Sequence, residues 1–441
     1  MLTILTSTLC YPELFGVQLF ECICNFTTEI AASQPPIEGA LDSNSSSVGL
    51  RFGESGFVQG KSLDIVNRVV VSGFSQELYL EGADLVHSGS PGLSFAVPTA
   101  TINGFPVKLQ NQSGFYSSGN YNQTITDEAV TTNNLKIVNL PKVFNNFDDL
   151  ISNIKNNLIK VDLIVLATPS GLHPKQVKMA ASAGVNVCTE KPMATKWEDG
   201  LKMLEACKKN KVKLFVVKQN RFNKTIDLVR KQILNGRFGR IGLVTVNVFW
   251  QRPQSYYDQD NWRGTLELDG GALMNQASHY VDLLEWMIGP VESINASVAT
   301  IARNIEAEDT ATINIKWKNG GLGTMAVTMI SYPHNLEGSI TILGENGSVK
   351  IGGKAVNKIE LWEFKDHHKD DELVNEASYE TTNVYGFGHP LFYENMLRSI
   401  KGECEPICSG DEGLKSLQLL IAAYRSAKSD QDIKLPLPNK F

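Results

Sequence analysis

The chain has 441 residues, of which 42% are hydrophobic and 20% charged, and its formal net charge is -6. Such a length allows two or three domains with large cores, and the balance fits a soluble globular protein. The acidic balance gives no electrostatic basis for a nucleic-acid partner, and no stretch is apolar for long enough to span a bilayer.

Residues 1–130 stand apart. Their only basic side chains are Arg51, Lys61, Arg68 and Lys108, against twelve acidic ones. No Lys or Arg precedes Arg51, so the mildly apolar amino terminus lacks the positive start of a secretory signal. The seven cysteines of the chain are scattered and read as reduced thiols, which places the protein in the cytoplasm. Asp64–Val71, Glu77–Leu80 and Leu93–Val97 alternate as short strands, and residues 34–62 read as loop. No Gly-x-Gly-x-x-Gly follows a strand. Gly49, Gly53 and Gly56 have the wrong spacing and are assigned to turns.

From about residue 134 strands and helices alternate. Leu135–Val138 and Lys142–Phe144 are short strand candidates, and Asp148–Lys155 is a helix with acidic residues at its positive end. Val161–Ala167 is an unbroken apolar run, expected as a strand buried on both faces. After the turn Pro169-Ser170-Gly171, a helix carries Val177, Ala180 and Ala181 on one side and stops at Gly184. Val185–Thr189 is a second buried strand running into Glu190-Lys191-Pro192. Together these form a βαβ unit, whose ligands gather at the carboxyl ends of its strands. Thr195 is the expected cap of a helix to about Lys209. Lys213–Lys218 is a third strand, followed by a helix from Phe222 to Leu234.

After Gly239 long alternating strands take over, at Leu243–Gln251, Ile294–Ile301, Thr310–Trp317, Gly323–Ile330, Ser339–Leu343 and Ile359–Glu363. Lys318-Asn319-Gly320-Gly321 is a hairpin turn. A helix runs from Met274 to Met287, and two more close the chain near Pro390–Ser399 and Gly410–Ser426. The fold expected is α/β. A β-rich segment (1–130) precedes an incomplete Rossmann-like parallel sheet (131–238). An α+β domain with an open, largely antiparallel sheet follows (239–441). An apolar outer face on that sheet would favour a homo-oligomer, a dimer or a tetramer.

Three constellations carry chemistry. Lys191, at a strand's carboxyl end, could polarise a hydroxyl or hold an anion, or be a surface lysine. Asn275, His279 and Asp282 fall at i, i+4 and i+7 of one helix, and histidine is the natural proton acceptor near neutrality. The alternative is a satisfied core histidine, and a third ligand for a metal is not evident. Trp262-Arg263 could stack on a flat, phosphorylated ligand or plug a domain seam.

With Ala-Thr-Pro-Ser-Gly-Leu-His at 167–173, Glu-Lys-Pro at 190–192 and the Gly270-Gly271 helix with His279 and Asp282, residues 134–438 resemble the Gfo/Idh/MocA oxidoreductases. Val-Val-Lys-Gln-Asn-Arg-Phe-Asn at 216–223, Trp-Arg-Gly-Thr at 262–265 and Gly-Gly-Ala-Leu-Met-Asn-Gln at 270–276 are most similar to the members that oxidise C3 of a UDP-N-acetylglucosaminuronate in surface-polysaccharide synthesis. The resemblance implies NAD, or NADP, as hydride acceptor for a nucleotide-sugar hydroxyl. It implies that Lys191 orients the hydroxyl and that His279 takes its proton, although either could be the base. It places Thr168, Pro169, Ser170, His173, Glu190, Lys191, Trp262 and Arg263 along the cofactor. Gln219, Arg221, Asn275 and His279 would line the sugar. Family members begin with a strand, a glycine-rich turn and a helix, which residues 1–130 do not resemble. The expectation is therefore weak NAD binding, with residues 1–130 adding β structure beside the sheet rather than rebuilding its first βαβ unit. A non-catalytic sugar-binding or assembly module is the alternative.

Overall fold

The computed structural model describes residue 144, residues 146–381 and residues 385–438, and it describes eight strands between residues 4 and 124 by their backbone. The chain forms two compact units: residues 1–168 with 182–187, and residues 169–181 with 188–441.

In the first unit, Leu163–Ala167 is the central strand, and Leu163, Ile164, Val165 and Leu166 are fully buried. Such an apolar, β-branched run with no polar face is what a strand covered on both sides needs. Ile4–Thr8 pairs with it in parallel, Thr6 opposite Val165, and Val69–Ser72 pairs in parallel with Ile4–Thr8. This corrects the expectation that residues 1–130 leave the first strand unbuilt. A parallel strand occupies that place, although nothing in its sequence marks it as a dinucleotide-fold strand. The segment after it, Leu-Cys-Tyr-Pro-Glu-Leu-Phe-Gly at 9–16, lies outside the described residues. A separate six-stranded sheet uses strands from Gly49 to Thr124, including Gly49–Phe52 and Gly56–Gln59 where a loop was expected. The candidates Leu93–Val97 and Leu135–Val138 lie outside the described residues. The helix Phe147–Lys155 is capped by Asn146, whose Oδ1 accepts from the Asp149 N–H at 2.8 Å.

In the second unit Leu214–Val216 is a short buried strand, and the Val217 N–H bonds to Thr189 O at 2.9 Å. The helix Trp197–Lys209 has Glu198 and Asp199 in its first turn and Lys208 and Lys209 in its last, matching the macrodipole. Its N-cap is Lys196, not Thr195. The Thr195 hydroxyl donates instead to Glu267 O at 3.0 Å.

The remaining chain builds an eight-stranded sheet. Thr310–Trp317 and Leu322–Thr328 pair antiparallel across the predicted hairpin, with Gly320 at φ 89°. Ile241–Phe249 and Leu322–Thr328 are parallel, which makes the sheet mixed. Gly347–Gly352 is a strand that sequence reading missed, its Gly-rich ends reading as turn. The helix Gly410–Ser429 packs on Val291–Ala299, a strand of this sheet, and on the helix Ser278–Ile288. The other face is not the apolar surface expected. On Thr310–Trp317 it presents Thr312, Asn314 and Lys316, and the apolar exception is a row of leucines, Leu343, Leu243 and Leu322, on three adjacent strands.

Candidate active site

The helix that carries Asn275 and His279 is not regular. Ala272–Gln276 forms a turn of π-helix, and the α-helix runs only from Ser278 to Ile288. Such wide turns recur at functional sites because they release side chains from the 3.6-residue stripe. The three residues read as one face are therefore divided between two clusters.

The first cluster centres on Lys191, which is buried. Its ammonium donates to Asn275 Oδ1 and Asn275 O, both at 3.1 Å. Asn275 Nδ2 in turn donates to Asp269 Oδ1, and Gly264 N–H donates to Asp269 Oδ2 at 2.7 Å. Burial lowers the Lys191 pKa to about 8, against the pull of Glu190 and Asp269. Burial likewise raises Asp269 to about 6, against hydrogen bonds from Gly264 and Asn275. Glu190 Oε2 accepts from the Lys191 N–H at 3.2 Å, and burial raises its carboxyl. His279 is 9% exposed, and its Nδ1 has no hydrogen-bond partner among the described residues. Burial first, then the nearby Lys191 and Lys218 charges, hold its pKa well below 6.5. The imidazole is held neutral, with a buried ring nitrogen left unpartnered among the described residues.

Asp282 sits in the second cluster. It takes both arms of Arg221, Nε to Oδ2 and Nη2 to Oδ1 at 2.8 Å each. Ser416 Oγ donates to Oδ1 at 2.6 Å, and Lys218 Nζ lies 3.7 Å away. Arg221 also donates to Ile407 O and Glu412. Arg221, expected on the sugar side, thus has its guanidinium bound to protein acceptors throughout. Gln219 is buried with Oε1 unpartnered.

Of the expected cofactor residues, Ser170 is buried and Gly171 N–H donates to Leu268 O at 3.0 Å. A Cβ on Gly171 would lie 2.1 Å from Glu267 O, so this contact needs glycine. His173 is fully buried, and its Nδ1 lies 3.2 Å from Pro192 O, which braces the Glu-Lys-Pro turn. Thr168, also buried, closes the other unit, and Pro169 opens this one. The Arg263 guanidinium stacks between Tyr256 and Trp262, 4.5 and 4.7 Å from the ring centres, and donates to Tyr256 Oη at 2.8 Å. Trp262 Nε1 is buried without a partner. An unpartnered indole donor beside a guanidinium fits a phosphorylated, aromatic dinucleotide.

Asp269, Arg252, Lys218 and His389 escaped sequence reading. Arg252 donates to Gln276 Oε1 at 2.8 Å, and His389 is buried with Nδ1 unpartnered and its pKa lowered to about 4 by burial. Two of them left a signal: Asp269 as the acid directly before the Gly270-Gly271 pair, and Lys218 inside the motif at 216–223.

Residues 119–218 match the oxidoreductase family's NAD-binding Rossmann fold, and residues 230–435 match the C-terminal alpha/beta domain of the same family. The WlbA dehydrogenase of Bordetella pertussis, solved with NADH and UDP-GlcNAcA, is 55% identical. The likeness covers 71% of this chain and 88% of that one, with a TM-score of 0.65.

The chain belongs to the Gfo/Idh/MocA oxidoreductase family.

Further proteins are similar to this chain. The WlbA dehydrogenase of Chromobacterium violaceum, also with NADH and UDP-GlcNAcA, is 53% identical over 71% of this chain and 85% of that one, with a TM-score of 0.63. An uncharacterised oxidoreductase of Synechocystis is 29% identical over 47% of this chain, and the alignment spans 58% of that protein's length. The 2,7-anhydro-N-acetylneuraminate hydratase of Escherichia coli is 25% identical over 62% of this chain and 81% of its own.

Proposed function

We propose that this protein oxidises a hydroxyl of a UDP-linked N-acetylated uronic acid, at C3, with NAD as the oxidant. The reading rests on one observation above all: a buried lysine ammonium, oriented by two Asn275 oxygens at 3.1 Å, shares its site with a neutral histidine whose Nδ1 is unpartnered. Likeness to the two WlbA dehydrogenases supports the substrate class.

When bound, NAD would supply the hydride acceptor, held by Pro169, Ser170, Glu190, Trp262 and Arg263. The rest falls to side chains of this chain. Lys191 Nζ donates to the sugar hydroxyl and stabilises the alkoxide character that grows as the C–H bond weakens. His279 Nδ1 accepts the hydroxyl proton. Its low pKa leaves it unprotonated throughout the neutral range, as an acceptor must be. Gln219, with its unpartnered Oε1, is suited to a sugar hydroxyl or amide donor. The surrounding burial excludes water and strengthens each of these contacts.

Purified protein incubated with UDP-N-acetylglucosaminuronate and NAD should accumulate NADH and a product two mass units lighter (about 2 Da, one hydride and one proton). Lys191→Ala and His279→Ala should each lower turnover by about 10²–10⁴-fold with the fold retained. Near-normal turnover by both variants would overturn the site. Ligand binding without NADH formation would favour a sugar-binding module instead.

A further inference from the structure

Asp269 makes no hydrogen bond to Lys191 among those described, yet both its oxygens are committed to this site. It is 2% exposed. One oxygen accepts from Gly264 N–H, in the turn that follows Trp262 and Arg263, and the other from Asn275 Nδ2. A lysine ammonium has donors only, so the Asn275 oxygen must face Lys191 and its NH₂ must face away. A carboxylate at the NH₂ side is what enforces that choice, since it accepts and cannot donate. Without it the amide could turn and present NH₂ to the ammonium.

Resting on the dehydrogenase reading above, we infer that Asp269 is a positioning residue: its carboxylate locks the Asn275 carboxamide oxygen onto Lys191 and ties that lysine to the Trp262–Gly264 turn. The link would let the cofactor-side turn and the lysine settle together.

The charged and titratable groups around the pair are few. Lys191 faces Glu190, Asp269, Lys218 and Arg252, and its charge is felt by His279. Asp269 faces Arg263 and Lys191, and its charge is felt by Glu308, Tyr256 and Tyr257. With Asp269 titrating at about 6 and Lys191 at about 8, kcat/KM should rise as Asp269 loses its proton and fall as Lys191 loses its own.

The test is Asp269→Asn, with folding checked by circular dichroism and thermal unfolding. The limb near pH 6 should vanish, leaving only the fall at lower pH where His279 takes a proton, and the alkaline limb should move down by about one pH unit, because an anion near an ammonium favours its charged form. Selective ¹³Cε-lysine NMR, with Lys191 assigned by Lys191→Arg, should show the same downward shift in the protein without substrate. That measurement needs no turnover, so it separates failure of this inference from failure of the dehydrogenase reading. Should Asp269→Asn not fold, Asn275→Ala should remove the same coupling. A limb near pH 6 that persists in Asp269→Asn belongs to Glu190, Glu308 or His279, and it would overturn the assignment, as would an unmoved Lys191 titration.

Discussion

Two ionisable side chains take their state from opposite causes, burial for Lys191 and ion pairing for Asp282. Lys191 at about 8 is charged at neutral pH and loses its proton just above it. Lys191→Arg cannot titrate in that range, so its residual activity should lack the alkaline limb, as a pH–rate profile would reveal. Asp282 is the opposite case. Arg221 and Lys218 outweigh its burial and hold its pKa at about 2, below the ordinary 3.8. A depressed carboxyl stabilises the fold fully above about 4, and the contribution is lost as pH falls toward 2. Asp282→Asn leaves two buried cations short of their anion and should cost on the order of 3 kcal/mol in urea unfolding. A change under about 0.5 kcal/mol, the range of surface substitutions, would contradict this account of the cluster.

At the scale of elements, the π-turn Ala272–Gln276 divides one helix between two tasks. Asn275 points to Lys191, and Asp282, two turns on, closes the Arg221 cluster. Gly171 makes the other close join. A methyl there would meet Glu267 O at 2.1 Å, a backbone atom that cannot swing away. Gly171→Ala should therefore destabilise by about 1–3 kcal/mol and loosen the Leu268 contact, measurable by thermal unfolding and by the Michaelis constant for NAD. The strand Ile4–Thr8 takes the position of a first dinucleotide-fold strand, but no Gly-x-Gly-x-x-Gly follows it. A pyrophosphate needs backbone N–H groups that only glycines let it approach. NAD binding by calorimetry should then be weak, with protein purified free of cofactor. Stoichiometric NAD in the purified protein would refute that.

For the whole molecule, the eight-stranded sheet has a packed face and an outward one. The outward face is mostly Thr, Asn and Lys, and these do not drive association by themselves. Leu343, Leu243 and Leu322 are cross-strand neighbours there, 36%, 38% and 55% exposed. A contiguous apolar row with a polar rim is the pattern of an association surface. We expect a homo-oligomer by light scattering at micromolar concentration, and Leu243→Lys should shift it toward monomer. Among the described residues no helix is long and apolar enough to cross a membrane.

The sequence by itself determined the elements whose signal is local. Val161–Ala167 is apolar without a break, Asn319-Gly320 sits between two alternating strands, and Glu-Lys-Pro ends a buried strand; neighbours along the chain carry each pattern. It also brought Lys191, Asn275 and His279 forward as site residues, through residue type and through family motifs. Tertiary structure decided what those residues touch. Asp269 is an ordinary loop acid until the fold sets it behind Asn275, and Arg221, which family motifs put on the sugar side, is taken up by Asp282 and Glu412. Ile4–Thr8 is too short, and too poor in glycine after it, to announce its parallel partner. Such contacts join residues far apart in the chain, and their energy depends on burial, which no local pattern of residues encodes.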